Sequence, residues 1–206
     1  PFCWFLVKKQ IKKSLMIDLI VIVLLGGLVG VFGWIMVASG LINRPWVNAY
    51  KLTIHLNLAF LVYAYLFWTT LKVTFPKRRA IVIGKKIGTL KIINVLLIVQ
   101  LLLGGVVSGM KAGLAYPTWP LMNGTYIPFD LLEGSNWTWN NMIEYDSHAF
   151  AAAFFQFFHR NIAYLIFILG FVIFFKWTKV LKNNSYFFNV VMIFIGARWV
   201  KRGDTE

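Results

Sequence analysis

Long stretches of this chain are almost wholly apolar, and Lys, Arg and Pro gather in the short segments between them. Four stretches exceed the ~20 residues needed to cross a hydrocarbon core: about 15–41, 47–75, 92–115 and 148–177. Arg44-Pro45 marks the start of the second, because proline is tolerated at or before a helix's first turn. Tyr116-Pro117 stops the third. A β-barrel would show short alternating segments instead. The pattern predicts an all-α, polytopic transmembrane helical bundle with four full spans and partial helices at both ends. The first partial helix is PFCWFLV (1–7), read as the tail of a helix. The last is YFFNVVMIFIGA (186–197), an apolar run too short to span that gives way abruptly to RWVKRGDTE. The chain opens at Pro1 in mid-hydrophobic sequence with no recognisable signal peptide, and it reads as a fragment of a longer protein.

Composition agrees. The chain is 59% hydrophobic with a mean hydropathy of +0.70, against roughly 45–50% apolar residues in a soluble domain. The net charge of +14 raises the question of nucleic acid, but the basic residues sit in loops and at helix ends and form no basic face. They cluster at Lys8–Lys13, Lys77–Lys91 and Lys176–Lys182. Between Lys111 and Arg160 there is no Lys or Arg, while Asp130, Glu133, Glu144 and Asp146 all fall there. That asymmetry is the positive-inside pattern. It places KKQIKK, PKRRAIVIGKK and KWTKVLK in the cytoplasm, and NRPW and residues 116–147 outside. Trp119, Trp137, Trp139, Tyr116, Tyr126 and Tyr145 in the outer loop suit the headgroup level. Cys3 is the one cysteine, so neither an internal disulfide nor a cysteine-ligated cluster is available. LLGGLVG (24–30) and LLGGVVS (102–108) resemble each other. Paired glycines let membrane helices approach closely, and the repetition hints at repeated units, although membrane helices also share such sequences by chance.

Few ionisable residues lie within the spans. His55 is about two turns below the outer end of the second, ~12 Å along the helix, and His159 with Arg160 lies ~16 Å below the outer end of the fourth. Asp18 is near the cytoplasmic end of the first, where it can stay hydrated or complement a helix N-terminus. An intramembrane histidine points to function, and neutral imidazole is a common axial ligand of haem iron. A histidine bonded to a neighbouring helix is the plainer alternative. Arg160 is always charged and calls for an anion, such as a haem propionate or an acid on another helix; Gln156, one turn away, can add a hydrogen bond. Ala59, Ala163 and Ala152 at helical spacing leave room for a flat macrocycle, or for ordinary helix packing. His148, at the boundary, reads as structural. No HExxH, carboxylate cluster, cysteine pair or phosphate-binding glycine loop occurs.

Four segments occur in order: GGLVGVFGWIMVASGL (26–41), YKLTIHLNLAF (50–60), VVSGMKAGLAYPTWPLMNG (106–124) and FFQFFHRNIAY (154–164). Together they resemble the haem A synthase family, over almost everything from Pro1 to about Lys182. The resemblance implies a membrane oxidoreductase that converts a methyl group of haem O to a formyl group for cytochrome oxidase assembly, through successive hydroxylations, with haem b as cofactor. It implies eight spans in a pseudo-twofold pair of four-helix bundles. Residues 1–115 would then be part of the first bundle, 116–147 an outer, periplasmic-side loop, and 148–206 the start of the second. His55 would hold the substrate haem, and His159 would be an axial iron ligand of haem b with Arg160 beside it. Their partner histidines would lie on helices outside this chain, so the two would not share an iron, and the chain alone should be inactive.

The family's glutamate near its first histidine lies on a helix not present here, and no catalytic residue is assigned. The external cysteine pair of one branch is absent, which points to the proteobacterial and mitochondrial-type branch. The implied setting is a bacterial cell membrane ahead of a mitochondrial inner membrane. Haem O and membrane lipid are the expected partners, without nucleic acid; a haem O synthase and a second copy of the chain stay open. DSHAFAAA before QFFHR is looser than the family pattern, and the match decays after Asn184. Two rivals remain: a membrane b-type dihaem electron-transfer cytochrome, and a transporter or assembly protein with structural histidines.

Overall fold

The computed structural model describes residues 2–8, 11–38, 46–74 and 87–181. They form α1 (Phe2–Val7), α2 (Lys13–Ala38), α3 (Ala49–Thr74), α4 (Ile87–Gly109), α5 (Ala112–Ala115), α6 (Phe129–Leu132), α7 (Trp139–Ile143) and α8 (Ala149–Leu181). A 3-10 turn lies at Gly134–Asn136. Among the described residues there is no β-strand, only an isolated bridge between Met122 and Thr125. Four helices, α2, α3, α4 and α8, are long and apolar enough to cross a membrane. The protein is an integral membrane protein built as a polytopic helical bundle. The final apolar run at 186–197, the Arg44-Pro45 boundary and the loop PKRRAIVIGKK lie outside the described residues.

The long helices pack in sequence, α2 on α3, α3 on α4 and α4 on α8. Glycine sets the closest of these approaches. A Cβ on Gly109 would stand 2.5 Å from the Cα of Ala49, and one on Gly105 would stand 3.0 Å from the Cα of Thr53. Small residues bring α3 and α4 into backbone contact at the ends nearest the 116–147 loop, where dispersion between close surfaces replaces the missing hydrophobic drive. The Thr53 hydroxyl donates to the Ala49 carbonyl of its own helix at 2.8 Å, so this polar group costs nothing at the contact. At the opposite end, Asp18 of α2 accepts from the Tyr65 hydroxyl at 2.9 Å and from Lys72 at 2.6 Å. Asp18 is therefore not simply hydrated: it is 7% exposed and clamps α2 to α3.

Two helices end differently from the sequence expectation. The third span was expected to run to residue 115, but α4 stops at Gly109 and a separate turn, α5, follows. Lys111 takes a left-handed conformation, φ 52°, which a continuous right-handed helix does not accommodate. The fourth span runs on to Leu181. At 33 residues it is ~50 Å long at 1.5 Å per residue, well beyond a ~30 Å hydrocarbon core.

The surplus of α8 is packed beneath the loop at 116–147. Phe150, Ala151 and Ala153 at its start are fully buried. Ala152 and Ala153 pack with Ala112, Tyr116 and Met122. Trp137 sets its ring edge-on to Phe150 and Phe154, with centroids 5.3 and 5.9 Å away. The loop also grips α3. Tyr145 accepts from the backbone N–H of Ala49 at 2.8 Å, Tyr50 donates to the Met142 carbonyl, and the Trp46 indole donates to Asp146 at 3.2 Å. The bond to Ala49 matters because a helix's first N–H groups have no partner within the helix. Most of these loop aromatics act as fasteners.

Candidate functional site

Two crevices between neighbouring helices each hold one of the intramembrane histidines. His55 leans from α3 onto α2. Its Nδ1 lies 3.0 Å from the Val29 carbonyl oxygen, and its Cε1 is 3.0 Å from where a Cβ on Gly33 would stand. A carbonyl only accepts, so Nδ1 carries the proton and donates, and in neutral imidazole Nε2 keeps its lone pair. That nitrogen is not among the enclosed, unpartnered atoms. A backbone carbonyl that fixes the tautomer in this way is the usual companion of a metal-ligating histidine.

His159 leans from α8 onto α4 in the corresponding manner. Its Cε1 is 3.2 Å from the position of a Cβ on Gly104, and its Nε2 lies 3.3 Å from the Gln100 amide nitrogen. Its Nδ1 is buried with no hydrogen-bond partner, as is Oε1 of Gln100. Gly33 and Gly104 each lie five residues from the outer end of their helix. Each ring is seated on a glycine of the helix it leans against. They face different helix pairs. Among the described residues, no three His, Cys, Asp or Glu side chains gather into a metal-binding group, so any iron here would depend on single histidines.

Arg160 has partners that side-chain inventory cannot reveal. Its guanidinium donates to the backbone carbonyls of Tyr116 at 3.1 Å and Leu121 at 3.4 Å, not to a carboxylate. Gln156 donates to the same Tyr116 carbonyl at 3.0 Å and is held there, away from His159. Two further contacts bring the loop down along α8: the Trp119 indole donates to the Tyr164 hydroxyl at 2.7 Å, and the Tyr126 hydroxyl donates to Asn161. The Tyr116 hydroxyl itself donates to Asp130 at 2.6 Å. Burial, and then the adjacent carboxylate, push its pKa above the ordinary tyrosine value. The arginine beside His159 is therefore a latch for the loop. Five N–H donors, with two engaged here, leave it capacity for an anion as well.

Other candidates fall into place. Ala152 belongs to the packing under the loop, and His148 is exposed at the start of α8. The duplicated LLGG does different work in its two copies. Gly104 and Gly105, neighbours in sequence, serve two partners, His159 and Thr53, whereas Gly26, Gly27 and Gly30 have nothing within 4 Å. Gln100 escaped the sequence reading. Its signal was available, as a lone amide in the apolar run LLIVQLLLGG.

The model of the COX15-CtaA family, described as cytochrome oxidase assembly protein, matches residues 1–198. The chain belongs to the COX15-CtaA family. Among its curated relatives, the heme A synthase of Nitrosospira multiformis is 40% identical over 172 residues, covering 82% of this chain and 46% of that protein. The heme A synthase of Parvibaculum lavamentivorans is 40% identical over 166 residues, 81% of this chain and 46% of that protein. The heme A synthase of Flavobacterium johnsoniae is 33% identical over 198 residues, 95% of this chain and 56% of that protein. The COX15-CtaA chain thus spans about half the length of these relatives. No solved structure matches it.

Proposed function

We propose that this chain supplies the central part of a haem A synthase, the oxidoreductase that converts a methyl substituent of haem O to a formyl group, in a bacterial cell membrane. The observation that carries the reading is the pair of glycine-seated histidines in separate crevices. His55 suits the substrate haem: its tautomer is set by the Val29 carbonyl, and its Nε2 lone pair is free for iron. The cradle fits a ligand role, because a Cβ on Gly33 would displace the ring. His159 suits haem b. Its orphaned Nδ1 is the kind of buried polar atom that protein partners alone do not satisfy. Haem b, when bound, supplies one-electron redox capacity.

The remaining residues orient and enclose. Arg160 holds the loop over α8 through the Tyr116 and Leu121 carbonyls, and its free N–H groups are placed to donate to a propionate. The loop at 116–147 shields the outer end of α8 from water. In this reading residues 1–115 belong to a first four-helix bundle and residues 148–206 open a second, each completed by helices outside this chain. The names of the relatives favour the synthase over an electron-transfer cytochrome.

The test is to express the completed reading frame beside a haem O synthase and separate the extracted pigments. Haem A, with or without a hydroxylated intermediate, is the expected product. Accumulation of haem O alone would refute the proposal.

A further inference from the structure

We infer that Gln100 is the positioning residue for His159, fixing which ring nitrogen is left with a lone pair for iron. The inference rests on the reading of His159 as a haem ligand. Three facts converge on the amide. It comes from the facing helix α4, its amide nitrogen lies 3.3 Å from Nε2 of the ring, and its Oε1 is buried without a partner, as are His159 Nδ1 and Gln156 Oε1.

The two orientations of a glutamine amide are nearly isosteric, and which atom faces the ring is settled by hydrogen bonding. With its NH₂ toward the ring, Gln100 donates to the facing nitrogen and forces the proton to the opposite one, which then cannot bind iron. With its carbonyl toward the ring, Gln100 accepts an N–H from the facing nitrogen and leaves a lone pair on the other. Only the second arrangement makes a ligand, so binding of iron and rotation of the amide are linked. His55 has no such choice, since the Val29 carbonyl can only accept. The sequence supplies no other side-chain amide near this level of α4: Gln100 lies in the apolar run LLIVQLLLGG.

A hydrogen bond accepted from a coordinating imidazole raises the basicity of the ligand and stabilises the oxidised iron, which lowers its potential. The completed, membrane-extracted protein is therefore compared with Gln100→Leu, Gln100→Glu and His159→Ala by haem content and by spectroscopic redox titration. Gln100→Leu should lose part of the haem that depends on His159, and what remains should titrate at a more positive potential. Gln100→Glu, an obligate acceptor when ionised, should keep that haem at a more negative potential, and it tests the inference even where the leucine variant fails to accumulate. Wild-type content and potential in both variants, with the haem lost in His159→Ala, would overturn the role of Gln100 alone. Full haem retention in His159→Ala would instead remove His159 as a ligand, and the inference with it.

Discussion

The α2/α3 and α4/α8 crevices solve one problem in two ways. Each seats an imidazole on a glycine of the preceding helix, Gly33 under His55 and Gly104 under His159. Each then meets one ring nitrogen with a polar group from that same helix. In the first crevice the group is a backbone carbonyl; in the second it is a side-chain amide. A carbonyl within a helix cannot be removed by substitution and cannot reverse its role, so the His55 tautomer is built into the fold. An amide can rotate or be replaced, so the state of His159 is adjustable. The second crevice is also the one beneath the loop, which Arg160, Trp119 and Tyr126 tie to α8.

The glycine seats offer the sharpest way to break the comparison. Gly33→Leu should displace His55 and weaken haem binding in its crevice while sparing the other, and Gly104→Leu should do the reverse. Overpacking costs about 1–3 kcal/mol, and each 1.4 kcal/mol is tenfold in affinity, so a loss of about 5- to 140-fold is expected in haem titration of each variant. Loss of both haems in either variant would mean that the crevices are not independent.

A smaller effect separates the crevices by their outer cover. Arg160→Met removes two hydrogen bonds to loop carbonyls, one of them exposed and 3.4 Å long, together worth about 1–2 kcal/mol. The loop at 116–147 should then be cleaved faster by an external protease, with the haem at His55 unchanged. Smaller again is the contrast between the two LLGG copies. Gly105→Ala brings a methyl group to 3.0 Å from the Thr53 Cα and should cost about 1 kcal/mol, read as a lower thermal midpoint in detergent. Gly26→Ala meets nothing and should stay within about 0.5 kcal/mol of the parent.

Much of this architecture was legible because membrane helices announce themselves by uninterrupted apolar length. The depths expected for His55 and His159 rest on helical rise alone. What stayed hidden has a common physical origin. Arg160 was expected to need an anion because only side chains were counted, whereas its partners are backbone carbonyls of a loop. The Lys72–Asp18 contact joins helices whose relative rotation no periodicity encodes. The early end of α4 depends on one left-handed residue, Lys111, whose type does not advertise it. Gln100 was readable as an isolated amide, but only the facing ring of His159 gives it a purpose.

The central claim is that His55 and His159 serve two different haems. Redox titration of the completed protein, beside its His55→Ala and His159→Ala variants, tests it most directly. Two haem components are expected in the parent, with each variant losing a different one and retaining the other at its original potential. Loss of the same single component in both variants would place the two histidines on one iron and contradict the account.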